Sequence, residues 1–443
     1  MKALFLIKSL DLHEPLGIMQ ISSILKNLGI ETKAIITSEE KNLIEKVKNF
    51  NPDLILFSTT TGVHKYYLNL CRVLKKELKF ISIFGGPHPT FFPEMVEEDC
   101  VDFIIRGEAE ETISDLIKKI QKEEKDIKKI WLGDYPQNLD SLPFPDRTLL
   151  KSYEYLLPKG VRFFMTSRGC PYDCAYCFNA FNKKLTKGRY LRQRSVENVI
   201  KEIKEVKKNF YLKKVNFQDD TFILNKKWLE EFLKIYKKEI NLPFYCHIRP
   251  NLVDEIIIRD LKDAGCYYAV LGLEVGNDYI RNKILKRNMS KQQILNTCKL
   301  LRKYNIEFTT QTMMCLPEEN LDMVFETIEL SAKCKPNHIN LYFYQPYPKT
   351  ELANYSISKG FFDGNFDRLL YTYQAESKNE IPLNIKNKEK FKLLSDIFRV
   401  CVKFPSLIKF IKFDIKYIPL NPISRILRTF LKGFYFIKYG FVK

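Results

Sequence analysis

The 443-residue sequence contains no apolar run approaching the ~18 residues that would cross a bilayer. Met1 leads directly into "KALFLIKSL", which is too short for a secretory leader and lacks a small-residue cleavage site. Internal repeats and low-complexity tracts are absent. An apolar share of 45% with well-spread charge excludes a disordered chain. The chain is therefore read as cytoplasmic, where disulfides are not expected, so its eleven cysteines point to metal or thiol chemistry. Eight of them (Cys71, Cys100, Cys246, Cys266, Cys298, Cys315, Cys334 and Cys401) have no close neighbour in sequence. These are read as small buried apolar residues.

Acidic residues are scarce at one end. Residues 401–443 hold nine Lys or Arg against one acid, Asp414, and supply +8 of the formal charge of +19. This stretch is also rich in Phe and Tyr. Basic aromatic sequence can lie on an anionic membrane or bind nucleic acid; the plainer reading is a terminal helical cap.

Four blocks are expected. Residues 1–124 alternate amphipathic stretches with short runs that are apolar on both faces: "ALFLI", "TKAII", "LILFS", "FISIF" and "VDFII". That pattern implies an α/β fold with a parallel sheet covered by helices. Ligands of such sheets sit beyond the carboxyl ends of the strands, here "SLDLHEPLG", "STTTG", "FGGPHPT" and "RGEAEET". Residues 125–155, with "DYPQNLDSLPFPDRTLL", form a proline-interrupted strap. Residues 156–355 carry six more strand candidates: "RFFMTS", "KVNFQ", "PFYCHI", "YYAVLGLE", "EFTTQTMM" and "HINLYFY". Six units suit a partial barrel better than a closed one of eight. Residues 356–443 read as a mostly helical extension.

The densest chemistry is "RGCPYDCAYCFN", which sets Cys170, Cys174 and Cys177 after the first strand of the second series. Zinc sites pair C-x₂-C with a second pair of Cys or His, but the next histidine here is His247. Three thiolates in a tight loop suit an iron–sulfur cube, which takes one Cys per iron. One iron is then left open, and an open position marks a catalytic metal. Arg168 and Gly169 add a positive charge and close backbone approach.

"CPYDCAYC" at the head of a six-unit βα series resembles the radical S-adenosylmethionine superfamily. The resemblance implies a 4Fe–4S cluster whose open iron takes the amino and carboxylate groups of S-adenosylmethionine. Reductive cleavage of the sulfonium then leaves a 5′-deoxyadenosyl radical that abstracts hydrogen from substrate. It also implies an electron donor such as reduced flavodoxin or ferredoxin. Carried over by position, Tyr176 and Phe178 would pack near the adenine. Asp219 and Asp220 in "FQDDTF" would meet the amino group, the alternative being an N-cap for the next helix. Arg249 and Glu274 would hold the carboxylate and ribose, the alternative being a salt bridge between the two. Relatives read "GLPGET" where this chain reads "CLPEEN", with Cys315 and Glu318 replacing glycines, which would narrow the backbone approach to adenosine.

The first block is similar to the cobalamin-binding, flavodoxin/Rossmann-like domain that precedes many such barrels, and the "LDSLPFPDR" strap continues the similarity. The resemblance implies cobalamin bound by Ser58, Thr59, Thr60, Gly85 and Gly86. His13 would be a cobalt ligand backed by Asp11, although the glycine of D-x-H-x-x-G falls one residue late, at Gly17. A domain that binds nothing and only covers the barrel mouth is the alternative.

The function implied is methylation of an unactivated carbon or phosphorus centre in a small molecule or lipid. Alternatives are oxidative cyclisation or rearrangement without methyl transfer, and a non-catalytic cobalamin or redox sensor. A tRNA methylthiotransferase would need a second cysteine trio in the first block, where only Cys71 and Cys100 occur; nucleic acid is not the expected partner. Tyr342, Tyr344 and Tyr347 suggest a sizeable or flat substrate, with core packing as the alternative.

Overall fold

The structure, a computed structural model, describes residues 1–369 and 381–417. By its contacts the chain falls into two units. The first holds Met1–Pro171, Phe178–Phe222 and Lys234–Phe244; the second holds Tyr172–Cys177, Ile223–Leu233 and the chain from Tyr245 onward.

In the first unit, strands β1 (Lys2–Ile7), β2 (Glu31–Ile36), β3 (Leu54–Ser58), β4 (Ile81–Gly85), β5 (Phe103–Arg106) and β6 (Ile130–Leu132) form one sheet in the order β2-β1-β3-β4-β5-β6. All pairs are parallel, with Ala3 opposite both Thr32 and Leu54. The two-sided apolar runs explain the layering, because alternate residues face opposite sides of a strand. Ala3, Phe5, Ile7 and Leu56 pack with Met19 and Leu25 of helix Leu16–Asn27 and with Ile113 and Leu116 of helix Glu110–Gln121. Leu4, Leu6, Ile55 and Phe57 pack on the other side with Phe50, Tyr67, Cys71 and Leu74. The five expected strands are all present. β6 lay hidden in the strap because only Trp131 of its three residues is buried, which leaves no period to read.

The strap is held by charge. Arg147 is buried and donates from Nη1 to Glu14 Oε2 at 2.6 Å, and from Nη2 to Glu202 Oε1 at 2.8 Å and to the Phe163 carbonyl at 2.7 Å. Glu14 Oε2 also accepts the Phe163 N–H at 2.8 Å, and Arg194 reaches the second oxygen of Glu202 at 2.5 Å. The loop after β1, the strap and helix Val196–Asn209 thus meet at one guanidinium.

A second sheet takes the six later runs in sequential order: β7 (Val161–Phe164), then, past the two-residue strands β8 (Ser167–Arg168) and β9 (Arg192–Gln193), β10 (Lys214–Phe217), β11 (Phe244–Ile248), β12 (Cys266–Glu274), β13 (Glu307–Met314) and β14 (His338–Phe343). β7 pairs parallel with β10, and β13 pairs parallel with both β12 and β14. β8 and β9 make a short antiparallel ribbon, Arg168 opposite Arg192.

Within the second unit, the extension after residue 380 contributes helix Lys388–Lys403, whose Leu394, Ile397, Phe398 and Cys401 enter the same core as Val324, Phe325 and Ile328 of helix Leu321–Cys334. Tyr344 is buried in that core, and Tyr347 packs against it. Most of the basic tail, residues 418–443, lies outside the described residues. Among the described residues no helix is long and apolar enough to cross a membrane. The eight isolated cysteines are all buried, as expected. Some nevertheless meet in space: Cys71 Sγ donates to the Cys100 carbonyl at 3.1 Å, and Cys246 and Cys266 stand 4.0 Å apart at sulfur.

Candidate active site

The first unit encloses a cavity of about 470 Å³ beyond the carboxyl ends of its strands. Ser58, Gly85 and Gly86 line it from the first sheet; Arg168, Gly169, Phe178 and Asp220 line it from the segments around the second sheet's first strands. Gly86 has φ +91°, and a Cβ there would lie 2.9 Å from the Thr59 backbone N. Thr59 is fully buried and its hydroxyl has no hydrogen-bond partner among the described residues. A cradle that a side chain would fill, together with an orphaned buried hydroxyl, fits a bound cofactor at these strand ends.

His13 is not among the residues lining the cavity. Its ring lies 5.2 Å from that of Phe163, and Nδ1 pairs with the Asp11 backbone oxygen at 2.6 Å. The Asp11 carboxylate accepts from Ser9 Oγ at 3.0 Å. The turn itself is strained, with Asp11 at φ +45° and Leu12 at φ +63°.

The two aspartates of "FQDDTF" separate. Asp219 is buried and accepts from Thr166 Oγ1 at 2.7 Å, Ser167 Oγ at 2.6 Å and the Thr166 N–H at 3.1 Å. Burial raises its pKa, and these donors oppose the rise. Asp219 thus clamps the end of β7 just before the cysteine loop. Asp220 instead faces the cavity, with its pKa raised by desolvation against a hydrogen bond from Asn179. The N-cap alternative for this pair fails, because Asn225 Oδ1 accepts the Trp228 N–H at 3.3 Å at the start of helix Lys226–Glu239.

Ahead of Cys170, Arg168 sits between two carboxylates, 2.6 Å from Glu108 Oε2 and 2.6 Å from Glu110 Oε1. Arg192, fully buried, shares Glu108. Gly169 has φ +87°, and a Cβ there would be 2.6 Å from the Tyr190 carbonyl. No larger residue fits at that point.

In the second unit, Cys174 is buried and Cys177 half-buried, joined by a turn in which the Cys177 N–H donates to the Cys174 carbonyl at 3.0 Å. Arg249 Nη1 approaches Cys174 Sγ at 3.7 Å. Among the described residues no three His, Cys, Asp or Glu side chains converge on a single ion. A cube takes one Cys per iron, so its thiolates are not required to share one. A buried thiol facing a guanidinium fits a thiolate-bound, anionic cluster.

Glu274 ends β12 at φ +62°, where the register against β13 shifts. Its carboxylate accepts from Tyr176 OH at 3.0 Å and lies 3.1 Å from Arg287 Nη1. Arg287 also donates to Tyr176 OH at 2.6 Å and, from Nη2, to the Gly272 carbonyl at 2.8 Å. Burial raises the Tyr176 pKa well above its ordinary value. The alternative salt bridge between Arg249 and Glu274 is therefore not formed; Arg287 is the partner. Sequence reading missed it, since "LKRNM" resembles any solvated loop.

Cys315 and Glu318 both adopt left-handed backbone, at φ +66° and φ +64°. They keep the conformation that glycine takes freely and bear its cost. Cys315 is buried, and burial pushes its thiol pKa up, so it is not a reactive thiolate. Its neighbour Glu319 is buried as well, its pKa pushed up to about 8 by desolvation.

The family model described as Radical SAM superfamily matches residues 164–331, and the B12 binding domain matches residues 3–117. The chain is therefore an enzyme that carries both a radical SAM domain and a B12-binding domain. Its cofactors are a 4Fe–4S cluster, S-adenosylmethionine and cobalamin. It is 28% identical over 370 residues to an uncharacterized methyltransferase of Pyrococcus horikoshii, covering 78% of each chain. It is 26% identical over 320 residues to the anaerobic magnesium-protoporphyrin IX monomethyl ester cyclase of Synechocystis, covering 66% of this chain and 62% of that one. Among solved structures, the radical S-adenosylmethionine methyltransferase TsrM of Kitasatospora setae shares the fold with a TM-score of 0.67 at 15% identity, covering 81% of this chain and 76% of that one.

Proposed function

We propose that this enzyme methylates an unactivated carbon or phosphorus centre of a small molecule or lipid. The observation that carries the reading is the cavity at the strand ends of the first unit. Strand ends of the B12-binding domain line it, and so do Arg168, Gly169 and Phe178, which flank the cysteine motif. A methyl donor and a radical generator can serve one substrate only if both reach the same space. The bound cofactors supply a methyl group and a 5′-deoxyadenosyl radical; the chain supplies binding, orientation and exclusion of water.

In this reading Cys170, Cys174 and Cys177 hold the cluster, and reduced flavodoxin or ferredoxin delivers its electron. Asp220 accepts the ammonium of S-adenosylmethionine, Phe178 borders the adenine, and Glu274 is oriented by Tyr176 and Arg287 toward the ribose. Ser58, Gly85 and Gly86 cradle cobalamin. Residues 1–124 then serve as the cobalamin domain, 125–155 as strap, 156–355 as barrel and 356–443 as extension.

Anaerobic reconstitution with S-adenosylmethionine, cobalamin and a reductant tests the reading. Both 5′-deoxyadenosine and S-adenosylhomocysteine are expected as products. Deoxyadenosine alone would favour cyclisation or rearrangement, a reading supported by the similarity to the cyclase. Neither product from a fully loaded cluster would sink the catalytic assignment.

The extension is proposed to rest on an anionic membrane surface, since Phe410 and Phe413 are exposed on helix Ile408–Tyr417 beside Lys409 and Lys412. Replacing Lys403, Lys409 and Lys412 with glutamine is expected to reduce sedimentation with phosphatidylserine vesicles. Equal sedimentation of both forms would refute surface binding through these charges.

A further inference from the structure

We propose that Arg249 sets the reduction potential of the cluster through the sulfur of Cys174. The inference rests on the reading that Cys174 is a cluster ligand.

Arg249 follows β11 and is 6% exposed. Its guanidinium is held on several sides. Nη1 donates toward Cys174 Sγ at 3.7 Å, and Nη2 donates to the Arg287 carbonyl at 2.6 Å. The group lies 3.6 Å from the centre of the Tyr172 ring. That ring is itself tethered, because Asn251 Nδ2 donates to Tyr172 OH at 3.1 Å. Nε has no partner among the described residues, and no carboxylate there forms an ion pair with this guanidinium. Glu274, the counter-charge in the alternative the sequence left open, is taken by Arg287.

A guanidinium does not discharge by losing its proton, so its burial calls for a nearby anion. The Tyr172 ring face offers partial compensation, and a thiolate-ligated cluster offers the rest. One-electron reduction makes that cluster one charge more negative while the cation stays fixed. The attraction therefore favours the reduced state over the oxidised one and raises the potential. Hydrogen bonds to cluster sulfurs act in the same direction and are an established lever on such potentials. Because Tyr172, Asn251 and the Arg287 carbonyl pin the group, it cannot swing away to damp the effect. The three-sided hold also leaves Arg249 little freedom to reach for a substrate carboxylate. Its part is that of a positioning residue for charge.

The test is a potentiometric titration followed by electron paramagnetic resonance. The full chain, its Arg249→Gln variant and its Arg249→Lys variant are reconstituted anaerobically, and iron is counted per chain. At the midpoint of the parent enzyme, the reduced-to-oxidised ratio in Arg249→Gln is expected to fall about tenfold, which for one electron is about 59 mV. Arg249→Lys, which keeps the charge, is expected to retain most of the parent potential. An Arg249→Gln chain with full iron and an unchanged midpoint overturns the proposal. If Gln blocks loading, the Lys variant decides: a full tenfold fall despite the retained charge overturns the proposal, and a retained midpoint supports it. Cys174→Ala separates the two readings, because full iron in that variant would instead refute Cys174 as a ligand.

Discussion

A Cys177→Ala chain, reconstituted without oxygen, will bind less iron than the parent and form products at least about a thousandfold more slowly, equivalent to about 4 kcal/mol of barrier. Only three thiols stand in the motif, and a cube takes one per iron. Removing one leaves a second iron corner without protein, so the cluster is lost or misplaced. Cys177 is the informative member of the trio because it is half-buried, unlike Cys174. Its backbone N–H donates to the Cys174 carbonyl, a bond that alanine keeps. The thermal midpoint of the iron-free chain should therefore be unchanged. Iron analysis, product chromatography and a melting curve on one preparation separate lost chemistry from lost folding. Full iron with the parent rate would remove Cys177 from the ligand set.

The second large effect concerns stability. Arg147→Met will destabilise the chain by about 3–5 kcal/mol, the usual cost of removing one partner from a buried ion pair. The substitution keeps apolar bulk but leaves Glu14 and Glu202 facing each other's side of the network with one cation fewer. Arg194 still covers one oxygen of Glu202, while Arg162 stands 3.8 Å from Glu14. Neither replaces the bond to the Phe163 carbonyl. Urea unfolding should show a lower midpoint at unchanged slope. A change below about 1 kcal/mol would mean that the strap is held by its apolar contacts alone.

The strands were legible because each core face writes itself into the chain. Leu4 and Leu6 face one layer, Phe5 and Ile7 the other, and the resulting apolar run is hard to misread. β6 was not legible, since a three-residue edge strand with one buried side chain has no pattern. The cysteine trio was legible because all its ligands are local. Pairings across the fold were not. Glu274 was visible, but its partner Arg287 comes from a loop whose position depends on the packing of β12. Asp219 and Asp220 look equivalent in sequence, yet past the end of β10 one is buried against Thr166 and Ser167 and the other faces the cavity. Likewise Cys315 and Glu318 suggested a narrowed turn. Both nevertheless hold left-handed backbone.

Arg168 has a consequence of a different kind. It stands two residues before Cys170, and its guanidinium is divided between Glu108 in the loop after β5 and Glu110 at the start of the following helix. All three side chains border the same cavity. A ligand that disturbs Glu108 therefore perturbs the approach to the cysteine loop, and loading of that loop perturbs Glu108 in return. Thermodynamic reciprocity requires the two couplings to be equal in free energy. Under the proposed assignment of the two cofactor sites, occupancy of one would thereby be a term in the affinity of the other, carried by one side chain.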